Sequence, residues 1–273
     1  MNSVPEIKPT QSVELLKELH ILTRDGKINQ DSRRKLKQVY HLFNFIEPLL
    51  KEVITAKNSL TLVDHGAGKS YLGFIIYDLF LKSLDVGHIY GIETRATLVG
   101  KSQKLASKLG FDRMSFLNLS VEKSMSSAQI PGQIDVVTAL HACDTATDDA
   151  IKFALNKKAS YIVLVPCCQA ELAGVLNKNK NQSFSKTPLS EIWRHPIHTR
   201  EFGSLLTNVL RCLLLESHGY QLTVTELVGW EHSMKNELII GTRKGMPKKS
   251  AQQRSEHILR EFNLEELRDR YLY

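Results

Sequence analysis

From Ser59 onward the chain alternates short runs of β-branched and apolar residues with longer runs of helical periodicity, and this alternation leaves few folds open. The strand candidates are residues 59–65, 88–93, 113–119, 134–140, 161–167, 221–228 and 236–242. Helical runs at 71–84, 95–110 and 144–158 separate the first five, with a short irregular connection expected between the third and fourth. Strands joined by helical crossovers form a parallel sheet, whose ligands sit outside the carboxyl ends of the strands. A helix at 202–220 precedes the last two strands, and residues 229–235 link those closely enough for an antiparallel hairpin.

The flanks read as helical. Residues 13–22 suit one short amphipathic helix, Asp25-Gly26 a turn, and residues 32–57 a second helix with Leu36, Val39, Phe43, Ile46, Leu50 and Val53 at helical spacing. Pro48 either kinks that helix or begins a new one. Residues 243–250 form a basic linker into a tail helix at 255–272. The expected architecture is α/β: a Rossmann-like, seven-stranded, mostly parallel sheet with an antiparallel final hairpin, N-terminal helices and a C-terminal helical tail. Its divisions are a helical extension (1–58), the sheet domain (59–245) and the linker with its tail (246–273).

Charge and cysteine usage narrow the setting. Lysine and arginine total 36 against 29 acids, a net charge of +7, which favours polyanionic partners and above all RNA or DNA. No apolar run is long enough to cross a bilayer and the first ten residues lack an apolar leader core, so no membrane association is expected. The four cysteines, Cys143, Cys167, Cys168 and Cys212, do not form a disulfide framework, and a reducing cytoplasm is the simpler expectation.

The motif that carries chemistry is Asp64-His65-Gly66-Ala67-Gly68-Lys69-Ser70, at the end of the first strand and the start of a helix. Glycines there let the backbone turn and approach a ligand, and the helix start offers free N–H groups. A phosphate-binding Walker loop would need glycine at Val63, and a nicotinamide fingerprint would need one at Tyr71. The acid two residues before the first glycine instead gives the pattern DxGxG. Asp64 then lies where the ammonium of a methionine-bearing cofactor would sit. Glu93 ends the second strand, followed by Thr94, where a carboxylate can accept from both hydroxyls of a ribose; the plainer reading is a surface acid capping the next helix. Asn118 and Leu119 end the third strand, on the adenine side.

With these motifs in order, the chain resembles class I S-adenosylmethionine-dependent methyltransferases. More closely it is similar to a branch with DxGAGKGYL, HxCG…TD and PCC motifs, which includes methyltransferase-like and glutathione-S-transferase-C-terminal-like proteins. That branch is related to a eukaryotic transfer-RNA 2′-O-methyltransferase family. The motifs stand here as Asp64–Leu72, Leu140–Asp148 and Val165–Gln169, within a resemblance covering about residues 33–245. Ser70 replaces the last glycine of the first motif, a change a helix start tolerates, and Asp144 stands where the branch has glycine. The resemblance implies S-adenosylmethionine as cofactor, held by Asp64, Gly66, Ala67, Gly68, Glu93, Thr94, Asn118, Leu119 and His141.

The acceptor side has three open readings. Cys143, Cys167 and Cys168 fall after the fourth and fifth strands, where free cysteine packs as a small apolar residue. Alternatively one is a nucleophile, as in RNA cytosine-C5 methyltransferases, although the proline that flanks their strand-four cysteine is missing. A metal held with His141 is the third, but the spacing is not a zinc pattern and no metal is expected. His141 and Asp144 are the nearest candidates to take an acceptor proton. Arg33, Arg34 and Lys37, with Lys35 between them, form either a solvated helix face or a phosphate-contacting arm. The basic stretch 177–200, with Trp193, Arg194, His195 and His198, suits phosphate contact and base stacking. The leading expectation is therefore an RNA methyltransferase for ribosomal or transfer RNA. A protein or small-molecule methyltransferase, or a non-catalytic RNA-binding module, are the alternatives.

Overall fold

The computed structural model describes residues 7–140, 142, 144–166, 169–179, 188–227 and 237–273. Strands β1 (Thr61–His65), β2 (His88–Glu93), β3 (Met114–Asn118), β4 (Val136–Leu140), β5 (Tyr161–Val165), β6 (Tyr220–Glu226) and β7 (Glu237–Arg243) make one sheet in the order β3-β2-β1-β4-β5-β7-β6. The first five pair in parallel, and β7 runs antiparallel between β5 and β6. This is the expected mixed Rossmann-like sheet. Its strand order reverses between β1 and β4, and a crevice at such a switch point is where parallel sheets take ligands.

Alternation along the strands separates two apolar layers. Leu62, Ile89, Val136 and Val163 face a cluster that also holds Leu15 and Leu16 of α1 (Val13–Glu18) and Leu36, Leu42, Phe43, Ile46 and Leu50 of α2 (Gln30–Lys57). Helices α3 (Tyr71–Leu79) and α4 (Ala96–Leu109) supply Phe74, Ile75, Ile76, Val99 and Ala106 to the same layer. Val63, Ile92, Val137 and Ile162 face the other way, against Ile151, Phe153 and Ala154 of α6 (Thr145–Asn156) and Leu214 and Leu215 of α8 (Pro196–Ser217). Each fully buried aliphatic side chain contributes about 1.5–3 kcal/mol. The N-terminal helices therefore share the sheet's own core.

Several details differ from the sequence expectation. Pro48 lies inside a single 28-residue α2, capped by Asn29, whose side chain accepts from Ser32 N at 2.8 Å. The connection between β3 and β4 is not irregular throughout: Ser120 caps the short helix α5 (Val121–Ser126). Helix α8 starts six residues before the expected Phe202, at Pro196, which is preset for a first helical turn. Helix α7 (Glu171–Asn179) takes up the beginning of the basic stretch, and the tail consists of α9 (Lys249–Glu261) and α10 (Arg268–Tyr271), packed with α7 and α8 through Leu172, Leu176, Leu210, Leu259 and Tyr271. No described helix is long and apolar enough to cross a membrane.

Candidate functional site

The β1–α3 turn is built around Asp64. Register places it between Gly91 of β2 and Thr138 of β4, and its residue is 2% exposed. Its Oδ1 accepts from Thr138 Oγ1 and its Oδ2 from Ser70 Oγ, both at 3.0 Å, and the Gly73 backbone N–H also donates to the carboxylate. Burial outweighs these donors and pushes the carboxyl up to about 6. Ser70 does not act as the helix cap that a serine at this place suggests. It sits at φ +51° with no capping bond, and its hydroxyl is spent on Asp64. A side chain at Gly73 would bring a Cβ within 2.5 Å of that hydroxyl, so the clamp needs glycine there. Gly66 and Gly68 turn the loop at φ +67° and +58°, a conformation other residues adopt only under strain.

A cleft of about 230 Å³ opens over this turn, lined by Asp64, Gly66, Ala67, Gly68, Lys69, Tyr71, Leu72, Arg95 and Leu140. It lies at the carboxyl ends of β1 and β4, at the switch point. Ligand pockets span roughly 300–1,000 Å³, so the open volume suits only part of a nucleoside cofactor. Arg95 lines one side of the cleft. Glu93 accepts from Gly68 N at 2.9 Å, and Arg95 reaches it through its backbone N and Nε at 3.0 Å and its terminal nitrogen at 2.9 Å. Hydrogen bonds from the Arg95 side chain hold the Glu93 carboxyl down at about 2, fully ionised at neutral pH. Thr94 is exposed and donates to Glu93. Asn118 turns its amide back onto the Glu93 and Thr94 carbonyls at 3.0 and 2.7 Å, bracing the ends of β2 and β3, and Leu119 is half-buried beside it. His65, next to Asp64, packs on Phe153. Neither ring nitrogen has a hydrogen-bond partner, and burial brings its pKa down to about 4.

Asp144 starts α6 at φ +51°, ψ −122°. Its Oδ1 accepts from Ala170 N at 3.0 Å and Glu171 N at 3.3 Å, capping α7. Arg211 of α8, 0% exposed, forks onto both Asp148 carboxylate oxygens at 2.7 and 2.9 Å and donates to the Asp144 carbonyl at 2.8 Å. A fourth bond goes to Asn208 Oδ1 at 3.1 Å, which also accepts from Gln169, while the Asn208 amide donates to Glu237 at the start of β7. His141, Cys143, Cys167 and Cys168 lie outside the described residues, and so does the metal set they would form. Among the described residues no three His, Cys, Asp or Glu side chains are grouped as metal ligands. Cys212 is half-buried on α8, its thiol pushed up to about 12 by burial.

The basic candidates are spread over two elements. Arg33, Arg34 and Lys37 are exposed on the first turns of α2, with Arg34 3.8 Å from Asp31. Arg194 is exposed and paired with Glu191 at 2.9 Å. Trp193 is half-buried, edge-on to Phe202, in the cluster of α7, α8 and the tail. Sequence reasoning missed Thr138, Gly73, Arg95 and Arg211. Arg95, a cation two residues after Glu93, and Gly73, three residues after Ser70, lie close in sequence to the groups they serve; Thr138 and Arg211 act across long separations.

A methyltransferase-domain family model matches residues 34–175, just over half of the chain. Among curated proteins, the chain is similar to the glutathione S-transferase C-terminal domain-containing proteins of Bos taurus, 23% identical over 242 residues and covering 80% of this chain, and of Mus musculus, 24% identical over 235 residues. The chain spans about a third of the length of these relatives, 35% and 34%. Similar solved structures include a magnesium protoporphyrin IX methyltransferase from Synechocystis, 14% identical, with a TM-score of 0.46 over 85% of this chain and 95% of that one. Methanococcus jannaschii fibrillarin, a pre-rRNA processing protein, is also 14% identical, with a TM-score of 0.42 over 69% of this chain and 68% of that one. The matched segment holds the glycine turn, Glu93 and the turns that follow β4 and β5, and the chain belongs to the methyltransferase-domain family.

Proposed function

We propose that the protein is an S-adenosylmethionine-dependent methyltransferase acting on RNA. The observation that carries the cofactor reading is the Gly66–Gly68 turn lining the switch-point cleft, with Glu93 bonded to its Gly68 N–H. The donor set fits such a cofactor: two glycines at positive φ leave backbone accessible, Glu93 offers carboxylate oxygens to a ribose, and Asp64 provides an ionisable group for an ammonium. Asn118 and Leu119 would border the base. When bound, the cofactor's sulfonium supplies an electrophilic methyl group, so the protein's own task is to position and desolvate an acceptor. Arg95 must yield its bonds on Glu93 when a ribose takes them.

The RNA reading rests on the excess of seven positive charges and on the exposure of Arg33, Arg34, Lys37 and Arg194, residue types that suit phosphate contact. Trp193 would act there by holding the Pro188–Arg194 turn through Phe202. A transfer-RNA ribose or a ribosomal base are both acceptors of this class, in a reducing, cytoplasmic setting. Calorimetric titration with S-adenosylmethionine tests the cofactor assignment. Glu93→Gln should weaken binding by about tenfold to a hundredfold, the equivalent of losing one charge-assisted hydrogen bond. Unchanged affinity would remove Glu93 from the site. Comparing modified nucleosides in RNA from knockout and parent cells by mass spectrometry tests the acceptor; methylation found only on proteins or small molecules would replace the RNA reading.

A further inference from the structure

We propose that Asp144 and Arg211 form a positioning staple that locks the β4–α6 turn to the β5–α7 turn on the acceptor side of the site. This rests on the methyl-transfer reading above. In it Asp144 works as a hydrogen-bond acceptor for backbone and not as the base that takes an acceptor proton.

Asp144 occupies a backbone conformation, φ +51° and ψ −122°, that a non-glycine residue holds only when its surroundings fix it. Both of its polar ends are fixed. The carboxylate Oδ1 takes the first free N–H groups of α7, at Ala170 and Glu171, across 26 and 27 residues. The carbonyl takes an N–H of Arg211, 67 residues away on α8. The Arg211 guanidinium has no solvent exposure, and its fork on Asp148 aims the second N–H of the forked terminal nitrogen at that carbonyl. Ser204, Asn208 and Arg211 line one stripe of α8 and extend the lock. Ser204 donates to Gln169 Oε1 at 2.6 Å, and Asn208 joins Gln169 to Glu237. One stripe of α8 thus sets three chain ends at the carboxyl edge of β4 and β5.

Stability alone does not call for this arrangement. Burying an ion pair costs about as much as it returns, and an apolar pair of similar volume would join α6 to α8 equally well. Direction is what the fork adds: planar guanidinium bonds fix angles that apolar contact leaves free. Asparagine retains an Oδ1 acceptor, so the staple and the base predict opposite outcomes for one substitution.

The test uses Asp144→Asn, Asp144→Ala and the double variant Arg211→Met with Asp148→Leu in the full chain. Deuterium exchange is followed at Ala170 and Glu171, and affinity for S-adenosylhomocysteine is measured by calorimetry. Methyl transfer is followed from tritiated S-adenosylmethionine to unfractionated RNA from cells lacking the protein. Asp144→Asn should keep parent-like exchange and activity within about threefold. Asp144→Ala and the double variant should exchange at least tenfold faster there and lose at least tenfold in kcat, with cofactor KM and S-adenosylhomocysteine affinity unchanged. Parent-like exchange in Asp144→Ala, or an inactive Asp144→Asn whose turns stay protected, overturns the staple. If the double variant does not fold, the two Asp144 variants decide. A parent that binds S-adenosylhomocysteine but transfers nothing to RNA counts against the RNA reading, and the exchange result then decides the staple by itself.

Discussion

Burial, more than any neighbouring charge, governs Asp64, and that makes its protonation a property of the fold. Its pKa rises from 3.8 to about 6, so the folded state prefers the protonated acid. The contribution to stability is complete below pH 3.8 and is lost as pH rises through about 6. Relative to Asp64→Asn, which cannot titrate, the parent should lose about 2 kcal/mol between pH 4 and pH 7. Denaturant unfolding at both pH values checks this, and parallel curves for the two proteins would contradict it. Alanine is a poor probe here, because it strands Ser70 Oγ, Thr138 Oγ1 and the Gly73 N–H together. At this scale the sequence was readable where chemistry is local. Asp64, Gly66, Gly68 and Glu93 announce themselves by spacing at strand ends. Thr138, 74 residues from Asp64, and Arg211, 63 from Asp148, leave no such trace, since the sheet order alone makes them neighbours.

Among the elements, α2 separates its duties by face. Ser32 and Leu36 are buried against the core, while Arg33, Arg34 and Lys37 turn outward on the same two turns. Replacing those three by glutamine should therefore spare the fold and the cofactor cleft. RNA affinity should fall, and its log–log salt slope should flatten by about 0.7–0.9 for each phosphate no longer neutralised. An unchanged slope in filter binding across a salt series would make this a solvated face. The β-strands were legible because runs such as Leu-Thr-Leu-Val and Tyr-Ile-Val-Leu-Val are short, apolar and β-branched. Helix α7 was not, because Gly174 and a polar end interrupt its apolar period. The early start of α8 was readable in Pro196 but was masked by the basic residues around it.

For the whole molecule, alternation of strand and helix was enough to forecast the sheet, since parallel neighbours require crossovers and right-handed crossovers leave few orders. What alternation does not reveal is how the flanks join it. The helices α1 and α2 complete one apolar layer, and α9 and α10 close a third cluster over α7 and α8. Their amphipathic faces are visible in sequence, but the surface each one covers is settled only by packing.

The place of β7 between β5 and β6 has a consequence in time. A ribosome releases β6 before β7 exists, and among the described strands β6 pairs with β7 alone. Until residues 237–243 emerge, the outer edge of β5 stands open and β6 has nowhere to dock, which is the condition in which unpaired edges capture other chains. Stalled nascent chains that carry residues 1–227 beyond the exit tunnel on an unstructured linker should accordingly be cut by added protease within β5 and β6, whereas chains that carry residues 1–273 beyond it should resist. Equal resistance at both lengths would mean that the five parallel strands close without their last partner. The chain therefore finishes its sheet from the inside, and the final strand to be made is the one on which an earlier strand has been waiting.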